Sequence, residues 1–228
     1  MKPIIGIVAR VGYPGGTHEY IVDDAYRRKV IEAGGIPIVI LPVEKIDYTI
    51  TKYMDTPEVS EDNKDMIINE LKLCDGVILP GGFRITKDDR FILDYLIDND
   101  IPTFGICLGM QIMSNYKKEQ FYNEKNDSVI NHKQEEDYVH SVKIKKDSKL
   151  YNIIGKEEIM VNSRHSYHVL PNDYFEATAY SEDGYIEALE MNDKKFMLGV
   201  QWHPESLDDE ISNNLFKALI DSISIDKN

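Results

Sequence analysis

An alternation of strand-sized apolar runs with helix-sized amphipathic stretches, sustained from Pro3 to Tyr116, narrows the fold more than any other feature of the sequence. Residues 3–9 form an apolar run of buried-strand length. Residues 20–33 follow, with Val22, Tyr26, Val30 and Ala33 on one helical face and a helix stop at Gly34-Gly35. The pairing recurs three times: strand 36–41 then helix 61–73, strand 76–79 then helix 88–98, and strand 102–106 then helix 108–116. Successive strands joined through helices of this length run parallel, with the helices covering both faces of the sheet.

The pattern changes after Tyr116. Residues 117–137 are polar and weakly periodic, which predicts a surface excursion. Beyond them strands crowd together at 139–145, 158–161, 174–181, 185–191 and 196–201, with a turn at Asn192-Asp193, and a closing helix spans 208–222. The 228 residues suffice for a single domain with a sizeable core. A net charge of −14 repels phosphate backbones and excludes a general nucleic-acid binder. The longest apolar runs, such as 36–41, are too short to span a bilayer. The opening Met-Lys-Pro-Ile-Ile-Gly does not read as a signal peptide. Two cysteines, Cys74 and Cys107, make no disulfide framework, so a reducing, cytoplasmic setting is expected.

The chemistry concentrates at Gly105-Ile106-Cys107-Leu108-Gly109, where a predicted strand gives way to a predicted helix. This is a glycine-flanked nucleophile elbow carrying sulfur. The two glycines allow the tight turn that lifts residue 107 off the sheet edge. A cysteine at a helix N-terminus is favoured as thiolate, and the Leu108 N–H points into the same space as an oxyanion donor. Cys74, inside Leu-Lys-Leu-Cys-Asp-Gly-Val, reads instead as core packing. A thiol nucleophile needs a histidine, itself held by a third group. His203 and Glu205 are two apart at the end of the last strand, and Pro204 between them imposes extended geometry, which places both on one side. The order nucleophile, histidine, acid differs from that of α/β-hydrolases.

Leu79-Pro80-Gly81-Gly82 ends a strand on the same predicted edge and offers a second oxyanion N–H. Gln111, one helical turn beyond Cys107, faces the same pocket. The polar segment Val161-Asn162-Ser163-Arg164-His165-Ser166-Tyr167-His168 reads as a substrate-binding loop. His165 and His168, with His132 and His140, also suggest metal ligands, but no cysteine or carboxylate stands at closed-site spacing, so no metal is expected. His18 sits in a Gly/Pro-rich loop that nothing else marks.

Gly105-Ile-Cys107-Leu-Gly109-Met-Gln111, together with Gly199-Val-Gln-Trp-His203-Pro-Glu205, resembles the class I glutamine amidotransferase superfamily. The nearest likeness is to its γ-glutamyl hydrolase branch, which includes the γ-glutamyl-γ-aminobutyrate hydrolases, and it extends to residues 24–42, 74–82 and 161–165. The resemblance implies a three-layer α/β sandwich with a central, mostly parallel, flavodoxin-like sheet and a smaller antiparallel excursion. It implies a Cys107, His203, Glu205 triad with oxyanion donors at Leu108 and Gly82. It further implies that Gln111 and the backbone of His165, Ser166 and Tyr167 hold the glutamyl amino and carboxylate groups, and it implies no cofactor. Leu108 stands where that branch often has arginine, and Ser166-Tyr167 where it continues His-Gln. These departures fall on the leaving-group side, so the expected substrate is a small γ-glutamyl amide whose amine stays open. A homodimer is compatible with the sequence, and so is a partner synthase receiving ammonia, although no residue indicates one. A non-catalytic γ-glutamyl sensor is the reading from another class, and the intact Cys, His and Glu set argues against it.

Overall fold

A computed structural model describes residues 1–12, 19–43, 58–118 and 123–223 of the chain; His18 lies outside them. The first half contains β1 (Ile4–Val8), β2 (Arg10–Val11), β3 (Tyr20–Ile21), α1 (Asp24–Glu32), β4 (Ile36–Ile40), α2 (Glu61–Leu71), β5 (Gly76–Leu79), α3 (Lys87–Asp98), β6 (Thr103–Ile106) and α4 (Leu108–Ser114). The second half adds β7 (Glu124–Lys125), β8 (His140–Ile144), α5 (Lys149–Ile154), β9 (Glu158–Val161), β10 (Tyr167–His168), β11 (Glu176–Ser181), β12 (Ile186–Glu190), β13 (Met197–Val200) and α6 (Glu210–Asp221).

Nine strands form one sheet in the order β4-β1-β5-β6-β13-β12-β11-β8-β9. The β4, β1, β5, β6 and β13 neighbours pair parallel, and the remaining four pairings are antiparallel. The expected α/β sandwich is therefore present, and most of the antiparallel excursion continues the main sheet. The alternation of strand side chains divides the core. Ile78, Phe104, Ile106, Leu198 and Val200 pack with α1, α5 and α6, whereas Val77, Leu79 and Met197 pack with α2, α3 and α4. The carboxyl ends of β5, β6 and β13, neighbours in the sheet, bring residues 80–82, Cys107 and residues 201–205 to one edge.

Three local readings are corrected. Helix α1 starts at Asp24 rather than at Tyr20, because the Asp23 carboxylate accepts the Ala25 N–H at 2.8 Å and caps the first turn. Tyr20 and Ile21 instead pair with β2. Periodicity does not predict helix α5, which has only six residues; Ser148 caps its start and Gly155 at φ 72° ends it. Buried Glu190 accepts the N–H groups of Lys149 and Leu150 at 2.8 and 2.9 Å, tying α5 to β12. The excursion at 117–137 is more than loop, since β7 within it pairs with β10.

Candidate active site

Cys107 joins β6 to α4 at φ 50° and ψ −100°, a backbone state that non-glycine residues rarely occupy. The flanking glycines make the turn fit. A Cβ on Gly109 would lie 2.0 Å from the Leu79 carbonyl oxygen, and one on Gly105 would lie 2.9 Å from the Gly109 carbonyl carbon. Strand β5, helix α4 and the elbow thus touch backbone to backbone, which aims the Cys107 side chain at the sheet edge.

The His203 Nδ1 lies 2.6 Å from Glu205 Oε1. That leaves Nε2 for Cys107, whose sulfur interacts with the imidazole both as a charge and as a hydrogen-bond partner. Burial works against charge on His203, but the Glu205 carboxylate and the facing sulfur outweigh it and raise the imidazole pKa well above its ordinary value. The His203 backbone is clamped by Asn162, whose Oδ1 accepts the His203 N–H at 2.7 Å while its Nδ2 donates to the His203 carbonyl at 2.9 Å. The three residues selected from sequence therefore converge, although 96 positions separate Cys107 from His203.

The Gly81-Gly82 turn closes the other side. A Cβ on Gly81 would meet His203 Cε1 at 2.7 Å, and one on Gly82 would meet Leu108 Cδ2 at 3.0 Å. The Gly81 N–H is committed to the Tyr26 hydroxyl at 2.9 Å, which leaves Gly82 as the oxyanion candidate of the pair. Arg10 holds the turn from below. Its Nε and Nη2 donate to the Pro80 carbonyl at 3.1 and 2.9 Å, and its Nη1 pairs with Asp89.

Gln111 is buried and meets the second-half loop. Its Nε2 donates to the Tyr167 carbonyl at 3.3 Å and to Gln201 Oε1 at 3.4 Å, and its Oε1 accepts from Asn123 at 3.3 Å. Ser166 is half-buried and Tyr167 exposed, and the Ser166 carbonyl accepts the Asn126 N–H at 3.0 Å. The His165 side chain is buried, with its Nε2 3.9 Å from Glu187 Oε1. Sequence reasoning missed the parts played by Tyr26 and Arg10. Periodicity places Tyr26 on an apolar helical face, yet its hydroxyl stands beside Glu205. Burial, followed by the Glu205 charge, raises its pKa well above the ordinary phenol value and keeps it protonated. The one signal for Arg10 is a guanidinium directly after an apolar strand. Cys74 behaves as core. A Cβ on Gly6 would lie 2.7 Å from its Sγ, and burial, then Asp75, push its pKa up to about 11.

A doubly covered mixed sheet with a parallel core, a cysteine elbow at the carboxyl edge of that core and a His-Pro-Glu turn on the adjoining strand defines the class I glutamine amidotransferase-like proteins. The sequence profile of the Peptidase C26 family matches residues 88–205, and the chain belongs to that family. A glutamine amidotransferase-like protein from Rickettsia prowazekii is 28% identical, over 96% of this chain and 97% of its own length. A CTP synthase from Mycoplasmopsis pulmonis is 30% identical over 80% of this chain, which spans 38% of that longer protein. Among solved structures, the glutaminase domain of Trypanosoma brucei CTP synthase with bound acivicin superposes with a TM-score of 0.67 at 20% identity, covering 98% of this chain and 96% of that one. A GMP synthase component from Thermoplasma acidophilum gives 0.65 at 18% identity, covering 98% and 94%. Among the described residues no helix is long and apolar enough to cross a membrane.

Proposed function

We propose that the protein hydrolyses the γ-glutamyl amide bond of glutamine or of a γ-glutamyl-amine through a glutamyl thioester on Cys107. The observation that carries this reading is the imidazole of His203, held at 2.6 Å by Glu205 and facing the sulfur at the elbow. The Cys107 thiolate attacks the γ-carbonyl carbon, and the oxyanion sits between the N–H groups of Leu108 and Gly82. As the C–N bond breaks, His203 delivers its proton to the leaving amine. It then takes a proton from water, which attacks the thioester and frees glutamate, and the imidazolium so formed pairs again with the departing thiolate. Gln111 and the backbone of His165, Ser166 and Tyr167 hold the amino-acid end. The test is a panel of γ-glutamyl amides, glutamine included, assayed for glutamate release by the chain alone. Cys107→Ala is expected to abolish release without loss of the folded circular-dichroism spectrum; retained turnover overturns the assignment.

A second reading follows from the CTP synthase relatives, of whose length this chain spans only part. In it the chain is a glutaminase that passes ammonia to a partner synthase. Weak turnover of every amide alone, rising on addition of a partner, would select it.

A further inference from the structure

Behind the substrate loop lies a group of buried side chains for which the proposed reaction has no use. Glu187 on β12 is 0% exposed, and neither carboxylate oxygen has a hydrogen-bond partner among the described residues. The contrast with Glu190 on the same strand is sharp. Glu190 is equally buried but accepts from the N–H groups of Lys149 and Leu150 and from the Thr178 hydroxyl. What faces Glu187 is imidazole. His140 Nε2 lies 3.7 Å from Glu187 Oε1, and His165 Nε2 lies 3.9 Å from the same oxygen. His132 packs ring to ring with both, at centroid distances of 4.8 and 4.9 Å. One ligand atom each of His132, His140 and Glu187 lies within 4.8 Å of the others.

The shortest contact of each Nδ1 is a backbone carbonyl, which selects the tautomer. His140 Nδ1 faces the Ser141 carbonyl at 3.1 Å, and His165 Nδ1 faces the Tyr167 carbonyl at 3.0 Å, with the Asn126 Nδ2 farther off at 3.4 Å. A carbonyl only accepts, so each Nδ1 carries the proton and each Nε2 presents a lone pair. Two lone pairs thus point at one carboxylate oxygen. A proton on that oxygen would satisfy one of them and leave the other buried and unpaired. A cation satisfies all three groups at once. Imidazoles whose far nitrogen donates to a carbonyl, facing a carboxylate, are the donor set and supporting shell of a zinc-class ion. Bonds of about 2.0–2.2 Å in tetrahedral geometry place donors roughly 3.3–3.5 Å apart, so the two imidazole–carboxylate pairs at 3.7 and 3.9 Å lie close to that spacing, while the ligand atoms of His132, His140 and Glu187, within 4.8 Å of one another, draw together when an ion binds.

The geometry points to a divalent transition-metal site of the zinc class around Glu187, formed with His140 and His132, whose ligand atoms and that of Glu187 lie within 4.8 Å of one another, and flanked by His165. To coordinate, His132 gives up Ser163 or Asp183, which now hold its Nδ1 and Nε2 at 2.9 and 2.8 Å. The ion braces β8 and β12 against the loop that carries Ser166 and Tyr167 and takes no part in bond breaking. Sequence spacing argued against a metal because the carboxylate comes from β12, well away along the chain from His132, His140 and His165.

The test uses the tag-free full-length Cys107→Ala chain, because a sulfur beside His203 would itself trap soft metals. After treatment with a chelator, Zn²⁺ is titrated by calorimetry, and Co²⁺ is titrated by visible absorption, which reports tetrahedral coordination. One equivalent per chain is expected, together with a zinc-dependent rise in melting temperature. Adding Glu187→Gln or His140→Gln is expected to weaken binding at least about tenfold and to remove the rise. Absence of stoichiometric binding in the parent chain overturns the site, as does an affinity that both added substitutions leave unchanged.

Discussion

Cys107→Gly probes whether the elbow stores backbone strain. At φ 50° and ψ −100°, residue 107 occupies a region that costs a non-glycine residue about 1–3 kcal/mol. The surrounding contacts enforce that state, since Gly109 is pressed against the Leu79 carbonyl and the Cys107 N–H is fixed on the Val200 carbonyl at 2.8 Å. Glycine adopts the conformation without penalty but surrenders about 0.5–1 kcal/mol relative to alanine through lost chain entropy. The comparison is therefore with Cys107→Ala, which removes the sulfur and keeps the Cβ. The glycine variant is expected to be the more stable by about 1 kcal/mol, or roughly 2–4 °C in melting temperature for a chain of this size. Scanning calorimetry of the two inactive variants in one buffer reads the difference. A glycine variant that melts at or below the alanine variant would refute strain at the elbow.

Glu205→Gln is expected to lower kcat/KM about 10- to 100-fold, the equivalent of one charge-assisted hydrogen bond, and less than loss of Cys107 does. Because the Glu205 carboxylate raises the His203 pKa, the alkaline limb of the pH–rate profile should also move downward; an unmoved limb removes Glu205 from the mechanism. Tyr26→Phe strips the Gly81 N–H of its acceptor and is expected to cost about 1–3 kcal/mol in urea unfolding and to reduce kcat more than it raises KM. Wild-type stability together with wild-type kcat would end that role. His165 has a folded pKa of about 3, so below its unfolded value near 6.5 the unfolded chain binds the extra proton and stability falls as the pH drops. His165→Gln should flatten the stability–pH slope between about pH 6.5 and 4, a difference of about 3 kcal/mol at the acid end. An equal slope in both chains would show that His165 does not control acid unfolding.

Two parts of the site were written into the sequence because their physics is local. The elbow follows from sterics within five residues, 105–109, and the His203–Glu205 contact joins residues two apart, although it closes across a 3₁₀ turn at Pro204–Ser206, with the proline in its first position, and not along the extended chain that the proline predicts. Periodicity likewise placed β1, β4, β5 and β6 and their helices, because a strand or helix face is set by neighbours a few positions away. Tertiary structure decided what depends on strand order. The adjacency of β5, β6 and β13 set Cys107 beside His203, turned Gly81 toward Tyr26 and left Gly82 for the oxyanion. The same sheet carried His140 on β8 and Glu187 on β12 to within 3.7 Å, a meeting no spacing predicts. Short-range sterics and periodicity are properties of a segment. The company a buried carboxylate keeps is a property of the whole sheet.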